Sequence, residues 1–240
     1  MTVGEALQEL RTAQKSAKGV SLYSRYVNRP LGRLLAALCY GLGLRPNQVT
    51  LISAAFSAAA LALVATVRPG WGLGLGVYAL LALGFAFDSA DGQLARLRRE
   101  SSPAGEWLDH VVDAGKIVAV HAAVLVSWYR FFDLPSHAWL LVPLGFQLSA
   151  VLIFCGGLLA DKLKPRPPAG TSPPAAAPVS RVRAVALLPA DYGVFCAVFL
   201  LLGGQSAFRA GYTLLFAVNV LFLCAFLAKW FRELSAPATA

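Results

Sequence analysis

Residues 88 to 113 read DSADGQLARLRRESSPAGEWLDHVVD, and the rest of the chain is best understood from this stretch. Asp88 and Asp91 are three residues apart, and Asp109 and Asp113 are four apart. On helices, each pair therefore shares one face. No proline interrupts Ser89 to Arg99, and Pro103 lies between the two pairs. The expected structure is a helix ending near Arg99, a short turn, and a second helix starting near Gly105. Two antiparallel helices joined in this way bring four carboxylates together. Crowded carboxylates repel, and near a membrane they are poorly solvated, so they persist only when protonated, paired with bases or bridged by metal. Oxygen ligands on rigid helices suit one or two hard cations, Mg²⁺ or Mn²⁺, and these in turn favour phosphate substrates. Gly92 and Gly105 leave space for a ligand or a neighbouring backbone, and Arg96 lies within reach of a phosphate oxygen. Taken singly, these features also read as solvated acids, a positive membrane anchor and packing glycines; the combination is what points to chemistry.

The surrounding composition sets the environment. Of the 240 residues, 58% are hydrophobic and only 14% charged, with a mean hydropathy of +0.63. These values indicate an all-α integral membrane protein. Six spans are expected, over about 47–67, 71–97, 104–129, 138–160, 184–202 and 207–230. The net charge of +9 is explained by topology, not by nucleic acid. Among the 21 Lys and Arg, only Arg68, Arg130 and Arg209 fall in the outer turns, and Lys116 lies inside the third span. The positive-inside rule then puts both termini and the Asp cluster in the cytoplasm, in an inner (plasma) membrane. Cys39, Cys155, Cys196 and Cys224 are isolated in apolar surroundings and read as core or lipid-facing residues.

Residues 1–45 form an N-terminal segment without the apolar region of a cleavable signal. Its first 20 residues read as a short, solvated or interfacial helix. Pro30 then opens a helix of about 15 residues, with Arg25, Arg29 and Arg33 at spacing four and leucines elsewhere. Too short to span, it is expected to lie in the interface as an amphipathic juxtamembrane helix. The six-helix domain covers 46–232, interrupted by a Pro-rich cytoplasmic loop at 161–183, and 233–240 form a cytoplasmic tail.

The central stretch resembles the signature of the CDP-alcohol phosphotransferase family, class I, D-x2-D-G-x2-A-R-x8-G-x3-D-x3-D. Asp88, Asp91, Gly92, Ala95, Arg96, Gly105, Asp109 and Asp113 match every fixed position. The resemblance implies an enzyme of phospholipid biosynthesis. It would move a phosphatidyl or other substituted phosphate group from a CDP-linked lipid or alcohol to an alcohol or alcohol-phosphate acceptor, releasing CMP. Asp88, Asp91 and Asp109 would bind metal, and Asp113 would be a ligand, the base, or both. Gly92, Ala95, Arg96 and Gly105 would line the CDP-alcohol site. Pro46-Asn47-Gln48-Val49-Thr50 looks like a P-N-x-x-T opening common in the family, which puts Asn47 and Thr50 near the cytidine; Asn47 also reads as a helix N-cap. Arg181 and Arg183 stand where family members often hold an acceptor phosphate, and read equally as membrane anchors. A homodimer is implied by the resemblance alone.

Lys116, one turn past Asp113, needs a partner at that depth: an Asp of the cluster or the acceptor. His121 and Asp191 read as satisfied core residues. Two other functions use clustered carboxylates. A membrane prenyltransferase needs Asp-rich motifs on well-separated helices, and both pairs here fall within one short stretch. A cation transporter normally holds its site near the bilayer midplane, whereas this cluster is expected at the interface.

Overall fold

The computed structural model describes residues 3–12, 21–164, 185 and 187–235. Among them there is no strand. The helices are α1 (Val3–Thr12), α2 (Arg29–Gly41, entered through a π turn at Ser24–Asn28), α3 (Pro46–Thr66), α4 (Trp71–Arg98), α5 (Pro103–Phe131), α6 (Leu141–Leu163), α7 (Tyr192–Ala197) and α8 (Gln205–Ser235). Short 3-10 turns precede α6 and α7, and another, Val198–Leu201, extends α7. Five of these segments are long and apolar enough to cross a membrane: α3, α4, α5, α6 with its leading turn, and α8. Where a sixth crossing was expected, over 184–202, the described residues hold a shorter apolar helix, Tyr192–Leu201, below the length of the other five. Its start is fixed by Asp191, whose side chain caps it by accepting from the Gly193 N–H at 2.8 Å.

The apolar segments close into a ring in which α3 packs on α4 and α5, α5 on α6, α6 on α8, and the α7 segment on α4 and α8. All six contribute to one core that includes Val64, Leu81, Trp128, Phe146, Phe199 and Tyr212. Close approach of α3 and α4 depends on Gly84, where a Cβ would stand 2.7 Å from Ser57 Oγ. Trp128 is fully buried, with its ring against Phe132 and Tyr212. A Trp128→Ala variant should lose about 3–5 kcal/mol of stability. Thermal unfolding in detergent checks this, and an unchanged melting point would contradict the packing described. His121 Nδ1 and Tyr212 Oη lie 2.5 Å apart within this core, so His121 is a satisfied core residue as expected.

A second core joins the N-terminal helices to the other end of the ring: Ala6 and Leu10 of α1 pack with Ala36, Ala37 and Cys39 of α2, Val49 of α3, and Ala90, Leu94 and Leu97 of α4. The first helix is therefore docked, not merely solvated or interfacial, because its apolar pair at spacing four meets the small-residue face of α2. On the other face of α2, Leu31, Leu34, Leu38 and Leu42 are exposed at spacing three and four. Such an exposed apolar stripe suits a helix lying on a membrane surface, as the sequence led one to expect.

The helix–turn–helix of the central stretch is set by local chemistry. Arg99 adopts a left-handed conformation (φ 56°), and the Glu100 N–H returns to the Ala95 carbonyl at 3.0 Å, ending α4. Ser102 then accepts from the Gly105 N–H at 3.1 Å, with Pro103 in the first helical turn. The second helix thus begins two residues before Gly105, since serine followed by proline is a strong start signal. The 28 residues of α4 extend to about 42 Å at ~1.5 Å per residue, against a hydrocarbon core of ~30 Å. Its Asp-bearing end accordingly reaches the edge of the apolar layer.

Candidate active site

Between the two cores lies the polar part of the molecule. Asp88 of α4 and Asp109 and Asp113 of α5 each place a carboxylate oxygen within 4.8 Å of the others. Asp91, nearly one turn beyond Asp88, is buried at 6% exposure, and its carboxylate accepts from Thr50 Oγ1 at 2.6 Å and from the Gly92 N–H at 2.5 Å. Lys116 Nζ donates to Asp88 Oδ1, to Asp113 Oδ1 at 3.2 Å and to Ser53 Oγ at 3.0 Å. Lys116 therefore takes an aspartate partner, one of the two roles open to it from its depth. All four aspartates belong to one constellation built by α4 and α5 and braced by α3.

Three recesses meet at these carboxylates. The largest, about 540 Å³, is lined by Asn47 and Thr50 of α3, Asp91, Gly92, Ala95 and Arg96 of α4, and Gly105 and Asp109 of α5, with Glu100–Pro103, Glu106 and His110 along its rim. A smaller one of about 220 Å³ is bounded by Asp88, Asp91 and Asp109 together with Gly92, Arg96 and Arg29. The third, about 180 Å³, has Asp88, Asp113 and Lys116 on one side and Phe85, Ile117, Phe154 and Tyr192 around the rest. Gly92 opens into the first two. A Cβ there would meet nothing nearer than Arg96 Nη1 at 3.7 Å, so any longer side chain would project into the cleft. A Cβ at Gly105 would stand 3.1 Å from Asn47 Oδ1, so the glycine gives Asn47 its position at the cleft wall. Asn47 does not cap α3: that position is held by Arg45, whose N–H donates to Gln48 Oε1 at 2.8 Å.

The cationic side of the small recess comes from two helices. Arg96 follows Gly92 by one turn of α4, and Arg29 opens α2. Burial first, and the like charge of Arg25 second, lower the Arg29 pKa from its ordinary guanidinium value. Arg181 and Arg183 lie outside the described residues.

Several residues here carry no family signature. Ser53 and Ser57 continue from Thr50 at spacings three and four, all three buried on an otherwise apolar helix. That polar stripe was legible as a face turned toward polar partners. Thr50 holds Asp91, Ser53 joins Lys116 to the Gly84 carbonyl (2.8 Å), and Ser57 borders the apolar recess. Arg29 belongs to the arginine series of the amphipathic helix, and nothing in its spacing singles it out. Phe85, Phe154 and Tyr192 are ordinary core types whose place becomes visible only when α4, α6 and α7 are assembled.

The comparison with known proteins agrees with this arrangement. A family model described as CDP-alcohol phosphatidyltransferase matches residues 44–231. The phosphatidylinositol phosphate synthase of Mycobacterium tuberculosis, solved with CDP-DAG bound, superimposes with a TM-score of 0.61 at 20% identity, over 88% of this chain and 98% of that one. The same enzyme with manganese and citrate gives a TM-score of 0.58 at 20% identity, over 85% and 92%. No curated protein matches by sequence. The likeness to the solved enzyme is one of fold, whereas the family model spans most of the chain and includes all four aspartates. The chain belongs to the CDP-alcohol phosphatidyltransferase family, membrane enzymes that move a substituted phosphate from a CDP-alcohol to an alcohol acceptor and release CMP.

Proposed function

We propose that Asp88, Asp91, Asp109 and Asp113 hold Mg²⁺ or Mn²⁺, that the large cleft takes the cytidine diphosphate end of the donor, and that Asp113 is the base. The observation carrying this reading is that the carboxylates form the wall between a polar cleft and an apolar recess, with Asp88 bordering the recesses on both sides. An all-oxygen, anionic donor set fits a hard divalent cation and no softer metal. Once bound, such a cation neutralises charge on the diphosphate and on the departing CMP.

The chain's own residues supply the rest. Asn47 and Gly105 shape the end of the cleft that takes the base and ribose, and Thr50 orients Asp91. Gly92 and Ala95 keep the wall low enough for the diphosphate to lie against α4, with Arg96 and Arg29 on its oxygens. The acceptor hydroxyl enters from the side of Asp113 and gives its proton to that carboxylate through Oδ2, Oδ1 being taken by Lys116. Its oxygen bonds to the β-phosphorus while the bond from that phosphorus to the bridging oxygen breaks, and CMP carries the bridging oxygen away. Such a substitution gains most from positioning and charge stabilisation. The apolar recess beside Asp113 favours an acceptor, or a donor lipid portion, with an apolar body. Arg181 and Arg183 remain candidates for an acceptor phosphate. The excess of Lys and Arg on the inner side supports a site facing the cytoplasm, and the family resemblance supports a homodimer.

The test is CMP release by the purified protein in liposomes, with CDP-diacylglycerol, Mg²⁺ or Mn²⁺ and a panel of free and phosphorylated alcohols. Diacylglycerol with smaller CDP-alcohols forms the second arm. Metal-dependent CMP formation with one acceptor is expected; activity undiminished in excess EDTA would contradict the metal role. Replacing Thr50 by valine keeps the shape and removes the hydroxyl that holds Asp91. It should cost about 10–100-fold in metal affinity or activity, and unchanged titration of Mn²⁺ and unchanged rate together would reject that role.

A further inference from the structure

Asp191 is buried, at 7% exposure, and it lies outside the carboxylate centre. Its partners come from the far end of the sequence. Ser21 and Ser24 both donate to its Oδ2, Ser24 at 2.6 Å, while Oδ1 accepts from the Gly193 N–H at 2.8 Å. Ser21 Oγ also accepts from the Ser24 N–H at 3.2 Å, so this short segment is closed on itself before α2 begins. Tyr23 sits between the two serines. Its ring lies against the first turn of α7, where a Cβ at position 193 would overlap it, so only glycine fits there. The same ring stacks on Phe85, with centroids 6.5 Å apart and planes 10° apart. Phe85 in turn meets Tyr192 edge-on at 5.2 Å.

Both lines of contact end at one place. Phe85 and Tyr192 border the apolar recess that also holds Asp113, one reached through the stacked rings and the other through the capped start of α7. Neither residue lines the large cleft. Arg29, which follows the segment and borders the small recess, is tied separately, because Gln93 Nε2 donates to its carbonyl at 3.2 Å. The helix that carries Tyr192 runs for only six residues, Tyr192–Ala197, too few to hold a direction by its own hydrogen bonds. A buried carboxylate also needs its donors, so removing the serines should shift the cap and the tyrosine beside it.

We infer that Ser21, Tyr23 and Ser24 are positioning residues for the acceptor: they fix Phe85 and Tyr192, and so set the width of the recess in which the attacking hydroxyl meets Asp113. The inference rests on entry of the acceptor beside Asp113, as proposed above, and leaves all four aspartates in their metal-binding role. A reaction that gains most from positioning is sensitive to this wall, since a displacement of about 1 Å is enough to cost ~10²-fold.

The test compares acceptor and donor kinetics in liposomes. CMP release is followed with CDP-diacylglycerol, Mn²⁺ and whichever of glycerol, glycerol phosphate, inositol, inositol phosphate and serine the wild type uses fastest. CDP-ethanolamine with diacylglycerol forms the second arm. Tyr23→Ala, and Ser21→Ala combined with Ser24→Ala, should each lower kcat/KM for the acceptor by about 10–100-fold, with KM for the CDP donor unchanged. Tyr23→Phe and Ser24→Thr keep the ring and the hydroxyl and should stay near wild type. A merely structural role would reduce the amount of active enzyme and move neither KM, so a fall in kcat with both KM values unchanged would overturn the inference. An equal effect on donor and acceptor, or on the donor alone, would overturn it as well. If the alanine variants do not fold, Tyr23→Leu and the single Ser24→Ala decide by the same criteria. A wild type silent with every acceptor in both arms removes the proposed reaction and this inference with it, whereas an active wild type with unaltered acceptor kinetics in the variants removes this inference alone.

Discussion

Asparagine at position 113 leaves a folded, membrane-embedded protein whose CMP release falls by about 10²–10⁴-fold, the range that a positioned general base contributes. Asparagine has nearly the same shape as aspartate, and its side-chain oxygen can still accept from Lys116, as Asp113 Oδ1 does at 3.2 Å. The tie between α5 and the cluster therefore survives while proton uptake is lost. Release of CMP should be followed under saturating donor and metal, so that a binding change is not mistaken for a chemical one. The melting temperature of the same preparation reports on the fold. Asp113→Glu should not restore the rate, because the extra methylene moves the carboxylate relative to the acceptor hydroxyl proposed to lie beside it. An Asp113→Asn protein within tenfold of wild-type turnover would show that the carboxylate is structural and that the base lies elsewhere.

The second large effect is expected at Gly92, and its sign depends on the size of the replacement. This glycine is exposed to the cleft within the last two turns of α4, and a Cβ there has only Arg96 Nη1 within ordinary contact distance, at 3.7 Å. Gly92→Ala should fold at least as well as the wild type, because alanine is favoured over glycine in a helix by up to ~1 kcal/mol, with a modest rise in KM for the donor. Gly92→Leu directs its branches into the space between Asp91 and Arg96, where the diphosphate would lie. A displacement of the reacting group by about 1 Å is enough to cost ~10²-fold, so kcat/KM for the CDP donor should fall at least that far. Thermal stability should remain near wild type, because the side chain grows into the cleft and not into a core. Equal activity in the alanine and leucine variants would mean that the donor does not pass this point.

The carboxylate pairs were legible because they combine two separate patterns, helical spacing and a proline between the helices, and the family signature then covers both. The same stretch gave the helix boundaries to within two residues, the difference arising from the Ser102–Pro103 start. The carboxylates also left open prenyl transfer and cation transport, and the family match over 44–231 decides against both. Less visible was anything that depends on how distant helices meet. Tyr192 and Phe154 border the apolar recess only because α6 and the short α7 segment pack into the ring. Docking of α1 through Ala6 and Leu10 was hidden for a related reason: two apolar residues in a mostly polar decapeptide give a weak pattern until a matching small-residue face exists. Within 184–202 the apolar run is broken by the 3-10 turn Leu188–Ala190 and by Asp191, which caps the short helix Tyr192–Ala197 that follows.

The cap on α7 bears on how the enzyme is assembled during synthesis. Asp191 accepts hydrogen bonds from Ser21 and, at 2.6 Å, from Ser24, which precede it by 170 and 167 residues. The first-made part of the chain thus waits for nearly the last helix before its own hydroxyls are satisfied, a contact of long sequence separation that is reached late. A ribosome-bound chain halted before residue 191 would already hold every aspartate of the centre on α4 and α5, yet neither the α7 side of the ring nor the anchor for the entry to α2. Completion of the site then coincides with closure of the ring, and a chain truncated or tagged near Ser21 would be compromised at a point remote from its own lesion.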